Sequence, residues 1–303
     1  MFKKHFKKIR EENITYHISD DEHYNEDNRI SIKVIYSKLN QIAKNGLWNI
    51  ETIYNFDGFE SYVLYSKITG PAIYLIAGIH GEEPAPPNAI YKKLNYINFL
   101  VEQNIPIVLY PLCNPIGYIN NWRYPNIDKY DEKNVGNSVG DSEYLLKKNM
   151  KTTSVYSEAL TNIVLKLSKQ YVPLISIDFH EDDMIDKGYI YSQGINGSND
   201  IIAKKIVDKM VELKYPIMLS GKTRFNEPII NGMVSNSNDG SIDNLIASKQ
   251  IFINNEIEKG PNGKHVIVVE TSSKNKPIEE RINIHSSIID MLEHLYFLAI
   301  KNK

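Results

Sequence analysis

The sequence predicts an α/β sandwich with a largely parallel central sheet, and three observations carry that expectation. Apolar, β-branched runs of core-strand length recur at residues 73–77, 107–112, 174–179 and 265–270. Between and after them, residues 88–101, 157–169, 200–213 and 278–300 carry apolar side chains at helical spacing. Polar, Gly- and Asn-rich segments punctuate the alternation without any internal repeat. Helices alternating with such strands give a sheet covered by helices.

Taken in order, residues 1–29 are charge-dense and most acidic over 20–28, which predicts a polar N-terminal arm ahead of one catalytic-sized domain over 30–303. Residues 30–45 place Ile32, Val34, Ile35, Leu39 and Ile42 at helical spacing. Strand-like runs at 48–54 and 62–65 flank Asp57-Gly58, a hairpin signal. The strand over 72–79 follows, and Pro84, Pro86 and Pro87 forbid its continuation in the sheet. Residues 113–150 show little periodicity, and a loop of that length inside a domain is more often functional than idle. After a strand at 189–192 and a helix, residues 218–245 form a second polar loop region. Residues 278–300, with Ile284, Ile288, Met291, Leu292 and Leu295 on one face, predict a single long closing helix.

Composition narrows the function classes. The chain has 303 residues, 42% of them hydrophobic, enough for a sizeable core. A formal net charge of -2 argues against nucleic acid as a partner. The single cysteine, Cys113, excludes an internal disulfide framework and a thiolate zinc site. The basic N-terminus lacks the apolar core of a signal peptide, and no apolar run approaches membrane-spanning length. The expectation is a soluble, cytoplasmic chain with no membrane partner.

Three predicted strands deliver polar residues at their ends: His80, His180 and Glu270. In open α/β sheets the ligand crevice lies at the strands' carboxyl ends, so parallel strands would bring these residues to one edge. His80 and Glu83, three residues apart, offer an imidazole and a carboxylate, and His180 offers a second imidazole. Two His and one Glu hold catalytic zinc while leaving a position open. Glu270 is then free to take a proton from water. Asp178 shares a strand face with His180 and could orient its ring. Singly, each signal has an ordinary reading: a chance His-x-x-Glu, a solvated acidic turn after His180, a first exposed residue at Glu270. Recurrence at three strand ends favours one site. The remaining histidines (His5, His17, His23, His265, His285 and His294) need only be surface or packing residues.

The ordered set His80-Gly-Glu-Glu83, Asn114-Pro-Ile-Gly-Tyr118, Arg123, Asp178-Phe-His180 and Val268-Val-Glu270-Thr resembles the zinc metallocarboxypeptidases over roughly residues 30–300. The resemblance implies a three-layer sandwich whose mixed, mostly parallel sheet has about eight strands. It implies one zinc per chain, held by His80, Glu83 and His180, with Glu270 as general base. The implied reaction is hydrolysis of a C-terminal peptide or peptide-like amide bond by metal-activated water, with Arg123 polarising the scissile carbonyl. The substrate-facing set is Asn114, Arg123, Asn134, Arg224 and Tyr191.

One stretch departs from the family pattern. Family members follow the arginine with a segment whose Asn and Arg grip the terminal carboxylate; here residues 131–138 keep Asn134 but lack the second arginine. Lys133 is a poor match for a bidentate fork, so Arg224 is the candidate replacement, with a surface ion pair as its ordinary reading. Tyr191 could line the pocket or serve only in packing. A related group, the aspartoacylase and succinylglutamate desuccinylase deacylases, shares the His-Gly-x-Glu opening. Its members usually carry Asn at the Glu82 position and a shorter path to the catalytic Glu, whereas here 90 residues separate 180 from 270. A third reading, a metal- or peptide-binding relative without catalysis, is disfavoured by Glu270, which binding alone does not need.

Overall fold

The computed structural model describes residues 8–11, 14–17, 24–56, 59–125, 143–150, 152, 154–235 and 237–302. The Asp57-Gly58 turn, Lys133 and Asn134 lie outside the described residues. In chain order the first elements are β1 (Lys8–Glu11), β2 (Ile14–His17), α1 (Ile32–Ala43), β3 (Trp48–Phe56), β4 (Phe59–Ser66) and β5 (Gly70–Ala77). Next come α2 (Ala85–Glu102), β6 (Ile107–Tyr110), α3 (Pro115–Asn120), α4 (Glu143–Leu146), α5 (Val155–Ser168) and β7 (Tyr171–Asp182). Then follow β8 (Tyr189–Ser192), α6 (Ile201–Glu212), β9 (Ser220–Lys222), β10 (Pro228–Ile230), β11 (Met233–Ser235) and α7 (Ile242–Ala247). The chain closes with β12 (Gln250–Ile253), β13 (Glu256–Lys259), β14 (His265–Ser272), α8 (Ile278–Ile289) and α9 (Leu292–Lys301).

Ten of the described strands form one mixed sheet in the order β3-β4-β6-β5-β7-β14-β8-β11-β10-β9. Its centre, β6-β5-β7-β14, is parallel, and β3, β4 and β8 pair antiparallel at the flanks of that centre. The sheet exceeds the expected eight or so strands because β9, β10 and β11, three residues each, fold out of the polar 218–245 region. Segments that short carry no readable period.

The period-2 alternation of strand side chains divides the core into two layers. Along β5, Ile73, Leu75 and Ala77 pack with residues of α1, α2, α6, α8 and α9. Ala72, Tyr74 and Ile76 face the layer of α5 and α7. Side-chain caps start several helices: Ser31 for α1, Ser154 for α5 and Asp200 for α6 each accept a backbone N–H of the first turn.

One helical expectation changes. The long closing helix is two, broken at Asp290 and Met291. Lys93 Nζ holds the Asp290 carboxylate at 2.6 Å and Tyr96 OH donates to its carbonyl at 3.2 Å. The polar stretch before residue 30 also reaches the fold. Tyr24 N donates to Ile119 O at 2.9 Å, and Arg29 is buried. No described helix is long and apolar enough to cross a membrane.

Candidate metal centre

At the carboxyl end of β5 the chain must leave the sheet and turn back at once. Gly78, at φ +66°, makes the exit. Gly81 lets the following turn lie flat on α3; a Cβ there would sit 2.0 Å from the carbonyl carbon of Gly117. Glu83 N donates to His80 O at 3.3 Å, closing the turn before α2 begins. His80 and Glu83 thus leave the β5 end on the same short turn.

His180 arrives from the next strand. It stands inside β7, two residues short of that strand's end, whereas the apolar run put it at the end itself. The parallel partner β14 also extends past Glu270: Thr271 pairs with Glu181 and Ser272 with Asp182, so the polar tails of both strands stay in the sheet. Within this register Glu270 lies directly beside His180. His180, Asp178 and Ser176 share one face of β7.

Three side chains converge. His80 Nδ1 lies 2.7 Å from Glu83 Oε1, and His180 Nδ1 lies 2.9 Å from Glu83 Oε2. The two imidazole rings are 4.9 Å apart, and one ligand atom from each of the three residues falls within 4.8 Å of the others. The remaining nitrogen of His180, Nε2, meets Asp178 Oδ2 at 3.2 Å, which fixes ring orientation and leaves Nδ1 facing the centre. Two imidazole nitrogens and a carboxylate, all aimed at one point, form a donor set that fits a divalent cation such as zinc.

The electrostatics keep the carboxylate charged and drive the pKa values of the two imidazoles apart. Burial works against a charge on Glu83, but His80 and His180 outweigh it and hold the carboxyl well below its usual range. Burial, then the Arg123 guanidinium, pushes His80 down to about 3. Burial opposes a charged His180 too, yet Asp178 and Glu83 raise its pKa well above the ordinary value. Glu270 keeps part of its surface open to solvent but is pushed up to about 8, first by desolvation. Glu83 and Asp182 add to that rise, while His180 and Arg224 pull against it.

No protein-family model and no curated protein sequence matches this chain. Solved structures do. A candidate metallopeptidase from Shewanella amazonensis superposes with a TM-score of 0.69 at 18% identity, covering 86% of this chain and 91% of that one. Metallo-carboxypeptidase from Burkholderia cenocepacia gives 0.62 at 10% identity, over 89% and 71%. Carboxypeptidase A from Helicoverpa armigera gives 0.58 at 13% identity, over 89% and 74%. The chain has a metallocarboxypeptidase-like fold.

In that fold the remaining predicted residues take distinct places. Arg123 lies against the turn, with Nη1 2.9 Å from Glu82 Oε1 and 3.2 Å from Glu83 Oε1. Asn114 is fully buried, and both ends of its amide hold backbone: Oδ1 accepts from Gly117 N and Nδ2 donates to Arg123 O at 3.0 Å. These two bonds join the start of α3 to the backbone of Arg123. Tyr191 donates to Glu227 Oε2 at 2.9 Å. Arg224 stacks over Phe225 and stands 3.7 Å from Asp183 Oδ1, partly exposed.

Sequence reasoning missed a supporting layer. Glu181 Oε2 accepts from Ala85 N at 2.9 Å, capping the start of α2, while Oε1 meets Arg281 Nη1 at 2.5 Å. That pair ties β7, α2 and α8 together one residue beyond His180. The acidic run after His180 was its one visible signal; Arg281, in a helix, gave none.

Proposed function

We propose that this chain is a zinc-dependent hydrolase that cleaves a C-terminal peptide or peptide-like amide bond, binding one zinc through His80, Glu83 and His180. The observation that carries the reading is the placement of Glu270 directly beside His180 in the β7–β14 register. A bound zinc supplies Lewis acidity, which polarises a carbonyl and lowers the pKa of water. Glu270, held by a strand on both sides, accepts the proton of the attacking water and returns it to the departing amine. Arg123 gives up its contact with Glu82 and donates to the carbonyl oxygen as negative charge develops there. Arg224 and Asn134 are the groups we assign to the substrate's carboxylate, and Tyr191 to the pocket wall.

The test is hydrolysis of a panel of blocked dipeptides with free carboxyl ends, with zinc content measured beside it. Glu270→Gln should keep its zinc and lose about 10²–10⁴-fold in kcat. A near-normal rate would remove Glu270 as the base. A wild-type chain that cleaves only acyl-amino acids would move the reading to the deacylase group.

A further inference from the structure

The N-terminal polar stretch places one guanidinium deep under the metal turn. Arg29's side chain is 0% exposed. Nη1 donates to Gly81 O at 3.0 Å and to Tyr118 O at 2.5 Å, and Nη2 donates to Asn121 Oδ1 at 2.6 Å. Nε donates to both oxygens of Asp27, at 2.9 and 3.0 Å, and Nη2 reaches Asp27 Oδ2 at 2.5 Å. Tyr24 and Tyr118 rings lie over the guanidinium, their centroids 4.7 and 5.0 Å away.

Gly81 sits between His80 and Glu83, so the orientation of its two peptide units decides where both side chains start. Its N–H donates to Arg123 O at 3.4 Å, and its carbonyl is held by Arg29. Without Arg29 that carbonyl loses its charged donor while the turn stays pressed on α3. Asn88 sets the segment further: Oδ1 accepts from Ile30 N and Nδ2 donates to Tyr118 OH, which itself donates to Ile30 O. A buried charge with every donor used is costly to build for stability alone, since an apolar plug of the same volume does as well.

We infer that Arg29 is a positioning residue that fixes residues 80–83 in the geometry their metal ligands need. The inference rests on the metal-binding reading of His80, Glu83 and His180. Lysine cannot replace it, because a point charge on a flexible stem cannot hold two carbonyls, an amide oxygen and a carboxylate in one plane.

The test measures zinc affinity by chelator competition and the visible absorption of the cobalt-substituted protein. Wild type is compared with Arg29→Lys and Asp27→Asn, and the metal-free melting point is followed in parallel. Arg29→Lys should weaken zinc about 10- to 100-fold, as loss of a group behind a ligand does, and should alter the cobalt bands. Zinc affinity within twofold of wild type, with unchanged cobalt bands, overturns the inference even if the melting point falls. If Arg29→Lys does not fold, Asp27→Asn carries the test, because it keeps the guanidinium and removes the anion that seats it. A several-fold loss of zinc affinity there supports the inference, and unchanged affinity overturns it. Wild-type protein that takes up no zinc overturns this inference and the metal site together, whereas normal binding in wild type and both variants overturns this inference alone.

Discussion

Two buried histidine–carboxylate contacts sit at opposite ends of the same parallel strands, and they differ in what surrounds the carboxylate. At the amino end of β14, His265 Nδ1 lies 2.7 Å from Asp200 Oδ2. The other Asp200 oxygen accepts from Ile202 N and Ala203 N at the start of α6, so this carboxylate is consumed by a helix cap. At the carboxyl end, Glu83 is shared by two imidazoles, and a second carboxylate, Asp178, turns one of them toward the shared point. A buried His beside a carboxylate is therefore not a site in itself. Convergence of several donors on one point, with one ring steered from behind, is what separates a ligand set from a brace.

The comparison breaks most decisively at His180. His180→Ala leaves His80 and Glu83 as the only members of the set, and two ligands do not hold zinc in a catalytic geometry. We expect zinc content of the purified variant to fall to background and peptide hydrolysis to vanish with it. Full zinc occupancy would show that the convergence is a hydrogen-bonded brace like its counterpart at the other end of the sheet.

At that counterpart, Asp200→Ala should do the reverse. It removes a helix cap, typically about 1 kcal/mol, and a buried hydrogen bond to a charged group, about 1.5–3 kcal/mol. The chain should lose stability by about 2.5–4 kcal/mol in urea while zinc affinity stays at the wild-type value. A variant whose zinc affinity drops as far as its stability would mean that the two ends of the strands are coupled and the distinction fails.

How much of this was legible depends on whether a feature leaves a local pattern. The central strands announce themselves through β-branched runs, and strand ends in an α/β sheet point to one edge, so His80, Glu83, His180 and Glu270 could be grouped before any coordinates. The motif around Asn114 is visible in the sequence. The role of Asn114 in holding Gly117 N and Arg123 O is a matter of loop packing that no spacing encodes. Arg29 was hidden for the opposite reason: it lies among acidic residues, and burial of a lone arginine depends on carbonyls 52 and 89 positions away. The break at Asp290 was equally silent, since the apolar stripe runs on across it while Lys93 and Tyr96 of another helix hold the interruption.

A further buried carboxylate sharpens the contrast, because among the described residues it has neither an imidazole nor a cation as a partner. Asp243, in the first turn of α7, is pushed up to about 7 by burial and then by Asp239, with Asp178 adding to the rise. Its direct side-chain partner is the Ser241 hydroxyl, which donates at 2.5 Å and pulls the other way without outweighing burial and Asp239. An unfolded aspartate titrates near pH ~3.9, so between about 4 and 7 the folded chain holds a proton here that the unfolded chain has released. Stability from this group is therefore full below pH ~4 and is lost as pH rises toward 7, by at most about 1.4 kcal/mol per pH unit. Asp243→Asn removes that slope because an amide does not titrate. Measured with a chelator present, to silence the metal ligands, wild type should lose more urea stability than Asp243→Asn between pH 5 and pH 7.5. Glu181, Glu82 and Glu270 are also raised and contribute slopes of the same sign to both proteins, so only the difference between the two reports on Asp243. Parallel pH profiles would mean that Asp243 is ionised in the folded chain. The energetic cost of burying its charge would then be met by a donor other than Ser241, and it would resemble Asp200 rather than stand apart from it.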